Sequence, residues 1–325
     1  DLVNRDEECT RSYPLPFEAT LIEWREFYAR FLMRCDKCIA PSAIAAEQMF
    51  TYYPSIHIDI VQHLDWEINA PYRSPFVPKL GSEDKLKVLT IGAMSREKGA
   101  DVLERTATYQ DPLHRLEYHL LGYAYKPLAD EVICHGPYRD DDLLQKIDDI
   151  APHIIWFPAQ WHETYCYVLT AVLRLGYPVI CSDLGAFKER LANRALSFII
   201  PWQCSPIEWN DKLLQIRDLL LTQQNADASL LVWPQHQAAG FNYMSDYCEG
   251  LKVDQSIPIS QHLIVKWTES RYVLLSNDRK RERLLRILWR CRQLPILRKV
   301  AKLVPFERQR AVKRWLSRKP MHDVV

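Results

Sequence analysis

The chain has 325 residues and a formal net charge of +1, with 48% apolar and 26% charged residues. These values are typical of a globular protein with two lobes and an appendage, and no apolar run approaches the roughly 18–20 residues of a membrane-spanning helix. Residues 1–4 contain no Met, basic patch or apolar signal core, so we expect the chain to be the C-terminal portion of a longer protein.

Residues 1–80 predict the end of one α/β lobe and a linker. Apolar periodicity predicts helices over 23–32 and 42–52 and strands over 37–40 and 58–61. Three prolines within 64–83 indicate the linker. They are Pro71, Pro75 and Pro78.

The nine cysteines are irregularly spaced, which does not indicate a disulfide framework. Cys35 and Cys38 form a CxxC, the spacing of a zinc or redox site. No second Cys pair or His cluster is positioned to complete a metal site. We therefore interpret both as ordinary residues at a helix-to-strand junction in a reducing cytosol.

Residues 81–275 predict a single sheet domain. Seven of the nine glycines lie between Gly81 and Gly185, where short apolar runs alternate with amphipathic stretches as in βαβ units. A first helix is predicted from about Lys98, with Val102 and Leu103 facing the sheet. A second is predicted over 140–150, with Leu143, Leu144 and Ile147 on one face, and a third over 165–175. Strands are predicted over 87–91, 116–121, 131–134, 153–157 and 179–181. The predicted fold class is α/β, a doubly wound parallel sheet with helices on both faces.

Ligands bind such sheets beyond the carboxyl ends of the strands. The sequence therefore predicts that the ligand-binding loops are 92–98, 122–125, 136–138, 159–165 and 182–189. The Trp-rich stretch 201–260 supports no ordered prediction, and 263–275 predicts a closing helix.

Residues 276–325 predict a basic amphipathic tail. Between Arg279 and Lys319, sixteen Lys and Arg residues face two acids, so this segment carries about +14 and the remainder about −13. Leucines, isoleucine and tryptophans are interleaved with these cations. Three interpretations stay open: docking on an anionic membrane surface, which we favour, a structural helix on the acidic globule, and nucleic-acid binding, which we favour least.

Several of the predicted loops carry familiar motifs. They are 92–99 (GAMSREKG), 136–138 (GPY) with Asp142-Leu143, Phe157-Pro158 with Glu163, 176–180 (GYPVI), and 182–185 (SDLG) with Glu189. In this order and spacing they resemble the C-terminal donor-binding domain of GT-B fold, family-4-type retaining glycosyltransferases. Residues 39–42 (IAPS) resemble the end of that family's N-terminal lobe. The resemblance covers roughly 25–200, and 161–165 (WHETY) is similar to enzymes of bacterial surface-polysaccharide assembly.

The resemblance implies a site for a nucleotide diphosphate sugar. Lys98, at the start of a helix after the first strand, supplies charge to the diphosphate where the helix dipole adds to it. Glu163 is the implied catalytic residue and orients the donor sugar hydroxyls, although an acid at a helix N-terminus is also a common cap. The other implied donor-binding residues are Gly92, Ser95, Arg96, Gly122, Tyr138, Tyr165, Cys166 and Glu189, with backbone N–H groups around Tyr165 and Cys166 completing the phosphate cradle.

Two positions depart from the family pattern. The second acid of the family's Glu-x7-Glu motif, which holds the ribose hydroxyls, is Ala171 here, and the Arg that follows the first glycine in many members is Ala93. Arg96 is a candidate replacement for that Arg. The family's acceptor site and a His near the reacting centre belong to the N-terminal lobe, before Asp1.

The implied reaction is sugar transfer to a glycan or lipid-linked acceptor with retention of configuration. The resemblance implies no cofactor and no required metal, because Lys98 and backbone N–H groups stabilise the leaving diphosphate. The implied location is the cytoplasm, including the inner face of the membrane.

Other function classes fit the sequence less well. A nicotinamide dehydrogenase needs a GxGxxG turn after the first strand, which Gly92 does not begin. A zinc protease needs HExxH, and position 166 after His162-Glu163 is Cys. A nucleotide-sugar epimerase shares the paired lobes, but the loop around Glu163 favours transfer. A catalytically impaired remnant that serves as a scaffold, docked by its basic tail, stays open because of Ala93 and Ala171.

Overall fold

The computed structural model describes residues 20–61, 72–109, 111–224, 276–294, 297, 301 and 303–317. The N-terminal part contains helix α1 (Leu21–Leu32), strand β1 (Ile39–Ala40), helix α2 (Ala43–Tyr52) and strand β2 (Asp59–Ile60). The two strands pair in parallel. A small apolar core lies between these elements and is formed by Ala40, Ala46, Ile56 and Ile58. All four elements predicted for this region are confirmed.

A six-stranded parallel sheet forms the main body. Its strands are β3 (Leu86–Met94), β4 (Leu116–Ala124), β5 (Val132–Gly136), β6 (Ile154–Phe157), β7 (Val179–Ser182) and β8 (Ser197–Ile200). The spatial order is β5-β4-β3-β6-β7-β8. The helices between them are α3 (Ala100–Thr108), α4 (Leu143–Ile150), α5 (Tyr167–Leu175) and α6 (Phe187–Arg190), and α7 (Pro206–Thr222) follows β8. The predicted α/β parallel sheet is confirmed.

Both faces of this sheet are buried, because side chains alternate along each strand and helices cover both sides. One face packs against α3 and α7, and its core includes Val88, Leu120, Ile154, Trp156, Ile180 and Trp209. The opposite face packs against α4, α5 and α6, and its core includes Leu89, Leu121, Ile155, Phe157, Val179 and Phe187. The inner strands β6 and β7, buried along their whole length, therefore appear in the sequence as short apolar runs.

Several predicted boundaries are wrong by a few residues. Strands β3 and β4 continue past Gly92 and Gly122, which pair with each other in register. The helix predicted from Lys98 begins at Ala100, after Gly99 in a left-handed conformation. The helix predicted from Tyr165 begins at Tyr167, because Cys166 has a φ of 69° that no α-helix accommodates. Helix α4 begins at Leu143, and the predicted residues 140–142 lie before it.

Strand β8 and helix α7 were missed by the sequence prediction. Helix α7 has a complete capping box, in which Ser205 and Glu208 satisfy each other's backbone N–H groups, and Pro206 occupies its first position. That pattern is a recognised signal for a helix start. The helix predicted over 263–275 lies outside the described residues.

The basic tail forms helices α8 (Ser276–Gln293) and α9 (Phe306–Leu316). They pack on each other through the buried side chains of Leu285 and Leu316. Trp289 of α8 also meets Tyr123 of β4 edge to face, with ring centres 6.4 Å apart. None of the described helices combines the length and apolar content needed to cross a bilayer.

Candidate functional site

The order of the strands locates a crevice in the sheet. From β3, the chain proceeds to β4 and β5 on one side and to β6, β7 and β8 on the other. The strand order therefore reverses between β3 and β6: successive strands are added on one side of β3 and then on its other side. The crevice at such a reversal is the usual ligand site of an open parallel sheet. The loops that leave the carboxyl ends of β3 and β6 flank this crevice. They are the loops that contain Lys98 and Glu163.

The two loops are held together across the crevice. The backbone N–H of Gln160 donates to the carbonyl of Glu97 at 2.7 Å. The Lys98 ammonium lies 3.8 Å from a carboxylate oxygen of Glu163. The Trp161 indole donates to the same carboxylate oxygen at 3.2 Å. The fold thus brings the two principal predicted residues into one ion pair.

This ion pair is only partly shielded from solvent. The Lys98 side chain is 40% exposed, whereas that of Glu163 is 14% exposed. An ion pair with one partner this open contributes about 0.2–1 kcal/mol, so an anionic ligand can displace Glu163 from Lys98 at small cost. The backbone N–H of Lys98 donates to Ser95 Oγ at 3.2 Å, which fixes the turn that presents the lysine. In the part of the chain that the structure describes, no three His, Cys, Asp or Glu side chains are grouped as metal ligands.

Helix α5 begins immediately after the Glu163 loop. Its N-cap is Cys166, whose side chain makes no capping hydrogen bond. Burial, first, and the nearby Glu163 raise the pKa of the Cys166 thiol to about 11, while Arg190 and Lys98 act in the opposite direction. The thiol is therefore neutral near pH 7, and Cys166 contributes its backbone, not a nucleophile. The predicted partner Tyr165 is buried beside it.

The remaining predicted donor-binding residues lie at the same edge of the sheet with different contacts. Gly92 and Gly122 lie opposite each other on β3 and β4. Tyr138 follows β5 and packs on the core, where burial and Asp140 raise its pKa to about 12, so the phenol stays available as a donor. Arg96 has an exposed side chain that pairs with Asp101 at 3.3 Å. Its role as a replacement for Ala93 stays a prediction.

Glu189 has a partner that the sequence did not indicate. Its two carboxylate oxygens accept the backbone N–H groups of Ala43 and Ile44, at 3.2 and 3.3 Å. An acid from the main domain thus caps the first turn of α2, where a negative charge is favourable. Its predicted place in the donor site stays a prediction, but its carboxylate is already engaged in this structure.

Ala171, the position of the missing second acid, is 8% exposed and belongs to the apolar core between α5 and the sheet. Ala93, in contrast, is exposed at the carboxyl end of β3. The position of the first departure is therefore part of the apolar core, and the position of the second is exposed to solvent.

Sequence reasoning missed Arg190. Its side chain is buried, and it donates to the carbonyls of Tyr165 and Cys166 at 2.9 and 2.8 Å. The sequence signal was weak, since Arg190 belongs to a charged run (Lys188, Glu189, Arg190) that is typical of an exposed helix face. Only the burial of α6 reveals it.

No protein-family model matches the sequence, and no curated protein matches it. Among solved structures, the chain is similar to the sucrose-phosphate synthase of Thermosynechococcus elongatus, at 16% identity and a TM-score of 0.47, over 68% of this chain and 56% of the synthase. It is also similar to Anabaena HepE in complex with UDP and glucose, at 13% identity and a TM-score of 0.47, over 65% of both chains. A third similar structure is the lipopolysaccharide outer core galactosyltransferase WaaB, at 12% identity and a TM-score of 0.45, over 65% of this chain and 59% of WaaB. The match thus spans less than two thirds of each of these structures.

Proposed function

We propose that this chain is the donor-binding part of a glycosyltransferase that moves a sugar from a nucleoside diphosphate sugar to a glycan or lipid-linked acceptor. One observation carries the proposal: Lys98 and Glu163 form a partly exposed ion pair where the strand order of the sheet reverses, beside the start of α5. The motifs that resemble family-4-type glycosyltransferases supply the same two residues independently. HepE, to which the chain is similar, is recorded with UDP and glucose.

The chemistry follows from the arrangement of charges. A diphosphate that leaves a sugar carries growing negative charge, which Lys98 and the N–H groups at the start of α5 are placed to stabilise without rearrangement. Glu163, released from Lys98 by the diphosphate, orients the sugar hydroxyls. Retention of configuration is part of the proposal because the resembling family retains it. Independence from metal ions is also part of the proposal, because this charge stabilisation needs no cation beyond the protein's own.

The test is thermal stabilisation of the full chain by UDP, GDP, ADP and dTDP. A ligand at a hundred times its dissociation constant adds about 2.7 kcal/mol of stability. For a protein of this size that corresponds to a rise in Tm of roughly 4 °C. We expect one diphosphate to be selected, and its effect to be unchanged by EDTA.

Lys98→Ala is the decisive variant, and Lys146→Ala is its matched control. Lys146 is 37% exposed and pairs with the Asp142 carboxylate at 2.9 Å, so it resembles Lys98 in exposure and partner but lies on α4. We expect Lys98→Ala to lose diphosphate binding and keep nucleoside binding. Equal loss of both ligands would assign Lys98 a purely structural role. No stabilisation of the wild-type chain by any diphosphate would favour the scaffold alternative, to which Ala93 and Ala171 point.

We also propose that the protein works at the cytoplasmic face of an anionic membrane, in the assembly of a bacterial surface polysaccharide. Support comes from the outer side of α8. Leu284, Ile287, Leu288 and Cys291 follow the i, i+3, i+4, i+7 pattern of one helix face, and Ile287 is 57% exposed. Exposed Arg283 and Arg290 lie along one side of this stripe, and exposed Arg281 lies along the other. Apolar side chains bordered by arginines suit the boundary between headgroups and acyl chains.

Co-sedimentation of the full chain with vesicles tests this membrane proposal. We expect binding to phosphatidylglycerol vesicles and not to phosphatidylcholine vesicles. Ile287→Asp should weaken it, whereas Leu113→Asp, at an exposed leucine in the turn before β4, should not. Equal vesicle binding by the two variants would show that the α8 stripe does not contact the membrane. Binding to nucleic acid and not to vesicles would replace the membrane proposal with a nucleic-acid-binding role for the tail.

A further inference from the structure

Arg190, the last residue of α6, lies beneath the loop that precedes α5. One guanidinium nitrogen donates to the carbonyls of Tyr165 and Cys166. The other donates to the hydroxyls of Thr170, at 2.8 Å, and Tyr72, at 3.3 Å. The guanidinium carbon also lies 4.0 Å from the centre of the Tyr165 ring. One rigid fork thus holds the last turn of the loop and the first turn of the helix.

These contacts determine where two N–H groups point. In a trans peptide the C=O and N–H bonds point in opposite directions. The Tyr165 carbonyl shares its peptide with the N–H of Cys166, and the Cys166 carbonyl shares its peptide with the N–H of Tyr167. Because Arg190 binds both carbonyls, both N–H groups point away from the buried guanidinium. They are groups that the proposed function assigns to the diphosphate.

Arg190 also brings charge to this place. Its contacts are with neutral oxygens and an aromatic ring, and no carboxylate of the described residues forms an ion pair with it. A buried cation without a counter-charge is unfavourable until an anion arrives. Its positive potential adds to that of the α5 N-terminus. Cys166 lies within electrostatic reach of both Arg190 and Lys98.

We propose that Arg190 is the positioning residue of the diphosphate site and that it supplies, from beneath the loop, the second positive charge that Ala93 does not supply. The inference rests on the proposed donor function. Arg190 acts through the peptides of Tyr165 and Cys166 and does not touch the donor. Lys98 binds the diphosphate from the crevice side, and Arg190 sets the direction and the potential of the backbone donors on the other side.

The test compares two buried arginines in the full chain. Arg194, four residues later, also anchors the backbone: it donates to the Tyr177 carbonyl at 2.8 Å and to Ser197 Oγ at 2.9 Å. Arg194→Met therefore controls for the loss of a buried structural arginine. Arg190→Met removes the fork and the charge, and Arg190→Lys restores the charge alone. Each protein is titrated with UDP, GDP, ADP and dTDP and with the four matching nucleosides.

The measured quantity is the ratio of diphosphate to nucleoside affinity, which a merely structural change does not alter. We expect Arg190→Met to reduce this ratio by at least about tenfold, because it removes a buried positive charge that attracts the diphosphate and the fork that directs its backbone donors. Arg190→Lys should recover part of the ratio. Arg194→Met should lower Tm but leave the ratio of diphosphate to nucleoside affinity unchanged. If Arg190→Met does not fold, Arg190→Lys must still show a lowered ratio. A ratio that is the same in wild type and in every folded Arg190 variant overturns this inference alone. A wild-type chain that binds no diphosphate overturns the proposed function together with it.

Discussion

Substitution of Gly185 by alanine tests the tight contact between the loop after β7 and the Glu163 loop. Gly185 has a φ of +69°, and a Cβ there would overlap the backbone N and O atoms of Glu163 and lie 2.9 Å from its carbonyl carbon. The N–H of Ala186 donates to that same Glu163 carbonyl at 2.8 Å, so the two loops cannot separate without losing a hydrogen bond. Gly185→Ala should therefore displace the residue that carries the proposed chemistry.

Gly136→Ala provides the matched control. Gly136 has a φ of +84°, at the same edge of the sheet, but a Cβ there would meet nothing within 4 Å. Both variants incur the left-handed backbone cost of about 1–2 kcal/mol. Only Gly185→Ala adds the overlap, for which about 1–3 kcal/mol is typical. We expect total losses of about 2–5 kcal/mol for Gly185→Ala and about 1–2 kcal/mol for Gly136→Ala.

Urea unfolding followed by tryptophan fluorescence measures this difference, because Trp156 and Trp209 are fully buried in the core of the main sheet. Folded Gly185→Ala should also bind the selected nucleoside diphosphate more weakly than folded Gly136→Ala. Equal free energies of unfolding for the two variants would refute the reasoning, since they differ in the proximity of Glu163 and not in backbone conformation.

Three further predictions concern stability and the contact between the two sheets. Asn210, which donates to the carbonyls of Thr106 and Tyr109 and accepts from the Tyr118 hydroxyl, is buried, so Asn210→Ala should cost about 2–3 kcal/mol in urea unfolding; a cost below that of Tyr118→Phe would contradict this. Glu189→Ala should cost about 0.5–2 kcal/mol and speed hydrogen exchange at the amides of Ala43 and Ile44, which Glu189 caps, whereas Glu189→Gln should have a smaller effect. Unchanged hydrogen exchange in Glu189→Ala would show that Glu189 does not cap α2. The Arg115 guanidinium holds the pKa of Asp111 at about 2, below the ordinary 3.8. Because the folded pKa is the lower one, this stabilisation is present above about pH 4 and is lost as pH falls toward 2. Asp111→Asn should therefore lose on the order of 2 kcal/mol at pH 6, and its urea midpoint should fall less steeply than that of the wild type as pH is lowered from 4 to 2. Urea midpoints that fall in parallel for the two proteins would argue against the pairing.

Much of the fold could be predicted from the sequence because both faces of its sheet are buried. The runs 88–91 (VLTI), with Thr90 as its one polar residue, and 154–157 (IIWF), which is wholly apolar, both lie within strands of the structure. The helix boundaries were less accurate, since Gly99 and Cys166 adopt left-handed conformations before their helices. Glycine suggests such a conformation, but nothing in the chemistry of cysteine does.

The two elements that the sequence prediction missed, β8 and α7, both carry a local signal in the sequence. Strand β8 contains the apolar run Phe198-Ile199-Ile200, although all four of its residues are only partly buried. Helix α7 could have been found from its capping box, because that signal is local and independent of burial. The alternatives for the tail stayed open because the charge of α8 is visible in the sequence, while the packing of Trp289 on Tyr123 is not.

The sequence by itself determined the class of the fold, the loops at the ligand-binding edge and the two residues, Lys98 and Glu163, on which the proposed chemistry depends. Local patterns of hydrophobicity and turn residues carry the fold class and the loops, and the resemblance of the motifs to a glycosyltransferase family carries the choice of the two residues. Only the tertiary structure decided that these two residues meet across the reversal between β3 and β6, that Glu189 caps α2, and that Arg190 is buried beneath the start of α5. Each of these contacts joins residues far apart in the chain, and the order of strands in the sheet, which no local pattern specifies, sets them side by side.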